Sequence, residues 1–346
     1  MATEYEKLPA ALLPWYRENA RDLPWRRDRD PYHVWISEIM LQQTRVSAVL
    51  GYYSRFLAAL PSIQDLARVR EDQLFKLWEG LGYYSRAKNL QKAAQQICEN
   101  YDGHFPTDYA TIRTLPGRGP YTAGAISSIC FELTTPAVDG NVLRVAARIT
   151  NDPTPVDLPA MKVSVSEHLA AIYPKGACGD FTQALMELGA TLCTPRSPKC
   201  DLCPAAAFCR GKAAGTADTL PVRLPKRKKR VEEKTVFLFS CEGKLALNQR
   251  TEPGLLSGLW QFPNVSGLLD AKAALETATS FGLRPREIVR ELHRNHIFTH
   301  IRWEMTCYEI LCDAAPADFT WATVAEIGTS YALPTAFRQF LPSENT

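Results

Sequence analysis

Apolar residues return at every third or fourth position through the first half of the chain. This spacing predicts one helix after another from about residue 6 to residue 192. The stretches "VWISEIMLQQT" (residues 34–44) and "RVSAVLGYYSRFLAAL" (45–60) carry it, and "EDQLFKLWEGLG" and "SRAKNLQKAAQQICENY" continue it. Breaks fall at Pro24, Pro31, Pro61, Gly82, Gly103, Pro106 and Pro153. No strand pattern precedes residue 230. The period then changes. "KTVFLFSCEGKLALNQR" (234–250) predicts a hairpin that turns at Glu242-Gly243. "GLWQFPNV", "EIVRELHRNHIFTHIRWEMTCYEIL" and "FTWATVAEI" read as further strands, and "DAKAALETATSFG" (270–282) as a short helix. The pattern therefore gives an all-α domain over residues 1–215 and an α+β domain over 234–346. Between them lies a basic linker, 216–233, with prolines and no apolar period.

A chain of 346 residues suits about two domains, and 46% hydrophobic residues suffice for their cores. No run of eighteen apolar residues is present, so no membrane span is expected. The start, "MATEYEKLPA", carries no export or import signal. The expected compartment is the cytoplasm, at the nucleoid if the source is bacterial, and the ten cysteines should stay reduced. A monomer is expected. The net charge of +3 neither demands nor excludes nucleic acid. The run "LPKRKKR" (224–230) fits phosphate contact, a repair or replication partner protein, or a solvated charge run.

Three motifs carry candidate chemistry. Cys193, Cys200, Cys203 and Cys209 follow C-x6-C-x2-C-x5-C. Zinc sites usually bring two close pairs, and here only Cys200 and Cys203 form one. An iron–sulfur cluster and zinc both remain open on spacing, and disulfides are disfavoured. The other six cysteines read as small apolar residues. "LPGRGPYTAGAI" (115–126) predicts a helix, a turn with positive φ at Gly117 and Gly119, and a new helix begun by Pro120. It is either a phosphate-binding hairpin or an ordinary turn between helices. Asp139, in "VDGNVLRV", is a good helix N-cap. Glu38 sits among Ile36, Ile39, Met40 and Leu41, where a glutamate usually faces solvent.

Together these motifs resemble the endonuclease III superfamily of helix–hairpin–helix DNA glycosylases. The resemblance implies one [4Fe–4S] cluster per chain on the four cysteines. Its role there is structural, ordering a loop whose Arg196 and Lys199 can meet phosphate. "LPWR", "SEIMLQQT", "GLGYYSRAKNL", "VDGNVLRV" and "FTQALMELGA" are similar to the adenine DNA glycosylase (MutY-type) branch. This implies removal of adenine paired with 8-oxoguanine or guanine in double-stranded DNA. Glu38 is then the general acid and Asp139 the carboxylate that stabilises the oxocarbenium-like sugar. A purine leaves readily only when protonated, so one carboxyl needs an apolar site that raises its pKa while the other stays charged. The helix cap is expected to keep Asp139 ionised.

The resemblance also implies that Trp25, Arg26, Tyr121, Asn141 and Gln183 line the adenine pocket or the sugar side. Gln43 and Tyr83 would insert into the base stack, and Thr44, Gly117, Gly119 and Thr122 would meet DNA. Superfamily members that nick the strand carry a lysine just after the hairpin. Tyr121 stands there, which argues for base removal alone. The second domain resembles the nudix-like domain that reads 8-oxoguanine, with Phe298, Thr299 and His300 in its reading loop. The family pattern has serine where Thr299 stands, and the hydroxyl is kept. The helix at 270–282 holds only Glu276, too few glutamates for nudix hydrolase chemistry. Two other readings compete: a pyrimidine glycosylase/lyase of the endonuclease III type, and a non-catalytic iron–sulfur DNA-binding module.

Overall fold

A computed structural model describes residues 3–225 and 228–342. Lys226 and Arg227 of the basic run lie outside the described residues. The helices of the first half, in chain order, are α1 (Leu8–Asn19), α2 (Pro31–Met40), α3 (Val46–Ala59), α4 (Ile63–Arg68), α5 (Glu71–Trp78) and α6 (Ser85–Asn100). They continue as α7 (Tyr109–Thr114), α8 (Pro120–Phe131), α9 (Gly140–Thr150), α10 (Pro159–Ala170), α11 (Cys178–Thr191) and α12 (Arg210–Ala213). The chain divides into two compact units. One holds residues 1–68 and 88–225, the other 69–87 and 226–346. The expected division at residue 215 had given 69–87 to the first domain. In the structure that stretch packs with the second.

In the first unit, α2, α8, α9 and α11 form the centre. Each starts where its sequence allows. Asp30 caps α2 by accepting from the amide of Tyr32, with Pro31 at the first helical position. Asp139 caps α9 by accepting from Val142. All of Val34–Met40, Thr122–Ile129 and Val142–Ile149 is buried, so these helices are covered on every side. Helix α2 ends at Met40, before the last residues of the apolar stretch. Gln43 then takes a left-handed φ of 59°. Two glycines set the spacing. A Cβ on Gly124 of α8 would collide with the carbonyl of Pro136, in the strand-like approach to Asp139. A Cβ on Gly189 of α11 would come within 2.6 Å of the Cβ of Asn141. The hairpin between α7 and α8 needs a left-handed residue only at Gly117 (φ 74°). Gly119 is extended (φ −78°) and caps α8, contrary to the expectation of positive φ at both. The expected linker is partly anchored here. Leu220 is buried, its carbonyl accepts from Arg148, and Asp157 accepts from the amide of Leu224.

The second unit is built on a sheet with strands β1 (Arg230–Cys241), β2 (Lys244–Gln249), β3 (Trp260–Gln261), β4 (Asn264–Ser266), β5 (Pro285–Ile297), β6 (Ile301–Cys312) and β7 (Thr320–Ala322). Its order is β3-β2-β1-β6-β5, with β4 paired to β1 and β7 to β2. The β1–β2 hairpin turns at Glu242 (φ 49°) and Gly243 (φ 75°), as expected. Strand β1 begins four residues earlier than the apolar run because Arg230 pairs in parallel with Ile301 of β6. The run Val236–Phe239 is buried on both faces. Val236 and Leu238 pack with Phe337 and Phe340, and Phe237 and Phe239 with Ala274 and Ala278 of helix α13 (Ala271–Ser280). The stretch "FTWATVAEI" is not all strand. After β7, Thr323 and Glu326 form a reciprocal capping box that starts α14 (Val324–Ser330). A short α15 (Thr335–Arg338) follows. No helix among the described residues is long and apolar enough to cross a membrane.

Gly124 supplies a test of the packing. In an open helix, glycine to alanine stabilises by about 1 kcal/mol. Here the new methyl meets a backbone carbonyl that cannot turn aside, so Gly124→Ala should instead destabilise by about 1–3 kcal/mol. Urea unfolding followed by circular dichroism gives the sign.

Candidate active site

Helices α2, α8, α9 and α11 and the turn Pro24–Arg26 enclose one pocket. Trp25, Arg26, Glu38, Thr44, Tyr121, Asp139, Asn141 and Gln183 all line it. From Trp25 to Gln183 these residues span more than 150 positions of the chain, and packing brings them together. Glu38 is 6% exposed, and the hydroxyl of Tyr121 donates to its Oε2 at 2.5 Å. Burial pushes its carboxyl up to about 7. The Tyr121 hydrogen bond pulls the other way, the charge of Asp139 adds to the rise, and Arg26 opposes it. Near neutral pH a large share of Glu38 therefore holds a proton that it can give.

Asp139 sits differently. Its Oδ1 accepts from the amide of Val142 at 2.7 Å and its Oδ2 from the side-chain amide of Asn141 at 2.8 Å. Burial nonetheless raises its pKa above the usual carboxylate value, and the cap only opposes that rise. The expected simple effect of the cap is thus corrected: desolvation outweighs it. Because Asp139 accepts two N–H donors where Glu38 accepts one hydroxyl, the charged form is better supported at Asp139. Asn141 is itself held, since Arg144 donates to its Oδ1 at 2.8 Å, to the carbonyl of Gly189 at 2.7 Å and to that of Cys193 at 2.7 Å.

Glu187, which sequence reasoning passed over, organises the cationic side of the pocket. Its side chain is fully buried and accepts from Arg21 at 2.6 and 2.8 Å and from Arg26 at 2.7 Å. Burial pushes its pKa up, but those hydrogen bonds outweigh it and hold Glu187 at about 2. The signal was present, because Glu187 lies one helical turn after Gln183 in "FTQALMELGA".

Outside the pocket, Gln43 is exposed on the loop after α2. Thr122 does not offer a surface. It is 1% exposed and accepts from Gln42 Nε2 at 3.3 Å, which braces that loop. Tyr83 lies in the second unit, 46% exposed, with a left-handed φ of 47°. Its hydroxyl is 2.7 Å from Oγ1 of Thr299. Thr299 and His300 are exposed in the β5–β6 turn, while Phe298 is packed edge-on against His296 and Trp303. Sequence order gave no hint that residues 83 and 299 meet.

A second cavity in the first unit is lined by Cys193, Cys200, Cys203 and Cys209 together. All ten cysteines are free. Arg148 donates to Sγ of Cys193 at 3.3 Å, and its carbonyl accepts from Cys209. Burial pushes the Cys203 thiol up to about 11, and charge on the other three thiols adds to this. Among the described residues no three His, Cys, Asp or Glu side chains are arranged to hold a single metal ion. Four cysteine side chains lining one cavity are a thiolate donor set that fits an iron–sulfur cluster.

Residues 36–161 match the family described as HhH-GPD superfamily base excision DNA repair protein, and residues 235–343 match the NUDIX domain. The adenine DNA glycosylase of Mus musculus is 36% identical, over 95% of this chain and 77% of that protein. That of Homo sapiens is 34% identical, over 95% of this chain and 72% of that protein. Among solved structures, a thermostable thymine-DNA glycosylase superposes with a TM-score of 0.56 at 28% identity, over 61% of this chain and 97% of that one. With a buried acid and a capped aspartate in one pocket of a helical unit and a nudix-type unit after it, the chain belongs to the adenine DNA glycosylases, base-excision enzymes that hydrolyse N-glycosyl bonds.

Proposed function

We propose that the protein excises adenine paired with 8-oxoguanine in double-stranded DNA and leaves the strand intact. The observation that carries this reading is the pairing, in one pocket, of a buried Glu38 with its pKa near 7 and an Asp139 supported by two N–H donors. The adenine nucleotide must leave the stack to reach such a pocket. Glu38 then protonates the departing purine. Asp139 stabilises the positive charge that grows on the sugar, and Asn141 keeps the carboxylate turned toward it. Trp25 and Gln183 bound the pocket, and Glu187 pairs with Arg26, whose charge lowers the pKa of Glu38 only in part against burial. No lysine is among the described residues that line the pocket, and Tyr121 occupies the start of α8, which supports hydrolysis without strand nicking. The hydroxyls of Tyr83 and Thr299, side by side in the second unit, support reading of the opposite 8-oxoguanine there. Duplex DNA is thus the partner, met also by Gln43, by the hairpin around Gly117 and by His300.

Cys193, Cys200, Cys203 and Cys209 would hold a [4Fe–4S] cluster, one per chain. The cluster would supply no step of the reaction; it would fix the loop that carries it. Arg144 grips that loop at the Cys193 carbonyl and steadies Asn141 with the same guanidinium.

The function is tested on duplexes with adenine opposite 8-oxoguanine. Adenine should be released, and strand breaks should appear only after alkali. Glu38→Gln should slow release by about 10²–10⁴-fold while DNA binding survives. Efficient nicking without alkali, or excision by Glu38→Gln within a few-fold of wild type, would sink the proposal. The pH profile has a determined sign. The active form is protonated, so single-turnover excision should fall as pH rises through about 7. The Tyr121 hydrogen bond favours the charged form of Glu38, so Tyr121→Phe should move this basic limb to higher pH. Metal analysis of the purified protein should give about four irons per chain. One zinc and no iron would refute the cluster.

A further inference from the structure

The stretch that carries Tyr83 is fastened to the second unit by one buried carboxylate. The side chain of Glu79, at the end of α5, is 8% exposed. Its Oε1 accepts from the backbone amide of Leu333 at 2.8 Å. Its Oε2 meets Nζ of Lys76 at 2.7 Å and the guanidinium of Arg338 at 2.7 Å. Lys76 in turn donates to the carbonyls of Ile327 and Tyr331, at 3.1 and 3.2 Å. One helix end therefore grips α14, α15 and the segment between them. Gly258 (φ 85°) lets the neighbouring loop close on the same helix. A Cβ there would come within 2.8 Å of both Glu71 and Phe75.

From Glu79 the chain reaches Tyr83 through a short rigid path. Gly80 and Gly82 turn it with φ of 98° and 68°. Trp78 donates from its indole to the carbonyl of Gly82 at 3.1 Å. Arg86 lies over the rings of Trp78 and Tyr83 and donates to the carbonyls of Leu81 and Gly82. Phe75 and Tyr84 meet edge to face. At the end of this path the hydroxyl of Tyr83 rests against Thr299. Tyr83 is thus held from both sides by the second unit, by the Glu79 cluster behind it and by the β5–β6 turn at its tip.

We propose that Glu79 is a positioning residue for lesion specificity. By clamping residues 76–83 to α14 and α15, it keeps Tyr83 in register with Thr299, so that the two act as one reader of the base opposite adenine. The inference rests on the reading given above, in which Tyr83 and Thr299 meet that base. Glu79 is not among the residues that line the pocket of Glu38 and Asp139, so its effect must appear in recognition and not in bond cleavage.

The test measures single-turnover excision against enzyme concentration on two duplexes, with adenine opposite 8-oxoguanine or opposite guanine. Glu79→Ala should raise the half-saturating concentration for the 8-oxoguanine duplex by about three- to tenfold. The plateau rate on both duplexes and the half-saturation for the guanine duplex should stay as in wild type. Glu79→Gln keeps a carbonyl for the Leu333 amide and should recover part of the loss. Combined with Thr299→Ala, Glu79→Ala should add little, because both act through one contact. If Thr299→Ala weakens recognition of 8-oxoguanine and Glu79→Ala does not, the positioning role is wrong and the lesion reading stands. If neither weakens it, the lesion reading itself falls and takes this inference with it. Should Glu79→Ala fail to fold, Arg338→Ala removes one partner from a half-exposed position and should produce a smaller shift of the same kind. An unchanged half-saturation in a folded Arg338→Ala would overturn the role.

Discussion

A carboxylic acid buried without a cation of its own is the constraint around which the first unit is arranged. Glu38 lies on a buried helix between Ser37 and Ile39, 6% exposed, in the pocket that α8, α9 and α11 line with it. Ionising it there is costly, which is what brings its proton into the neutral range. Arg26, whose charge reaches Glu38, would cancel this if it were free to pair. It is not free, because Glu187 takes Arg26 and Arg21 together and stays ionised in doing so. Two buried glutamates in one pocket thus titrate far apart, one near neutrality and the other at about 2. Two arginines account for the difference, and the fold decides which glutamate receives them.

Close backbone approach makes that allocation geometrically possible. Gly124 lets the segment before Asp139 lie directly on α8, and Gly189 lets α11 lie directly on Asn141. Tyr121 and Asp139 can then face the same space as Glu38. Arg144 closes the arrangement from behind, with one guanidinium shared by Asn141, Gly189 and Cys193. Asp139 is therefore fixed, through Asn141, by the same arginine that grips the cysteine loop at the Cys193 carbonyl.

The second unit uses charge in another way. Glu79 is nearly as buried as Glu38, yet it gathers Lys76, Arg338 and a backbone amide. A carboxylate so supplied works as a fastener. Its presence explains why residues 69–87 pack with a unit that begins, in sequence, 139 residues later.

The sequence by itself determined the helical first half, the hairpin at Glu242-Gly243, the capped start at Asp139 and the cysteine spacing. Each is a local matter of apolar period, turn chemistry or residue spacing, and local rules suffice for it. Only the tertiary structure decided that Thr122 braces Gln42 instead of facing outward, that Glu187 commands two arginines, and that Tyr83 meets Thr299. The same holds for the pKa of Glu38, because flanking apolar residues suggest burial but cannot say which charges face it. The start of β1 followed long-range pairing with β6, whereas the helix inside "FTWATVAEI" follows a local cap between Thr323 and Glu326 that periodicity alone does not reveal. Burial and partnership depend on residues distant in the chain, and periodicity records only which face a residue turns inward, not what it meets there.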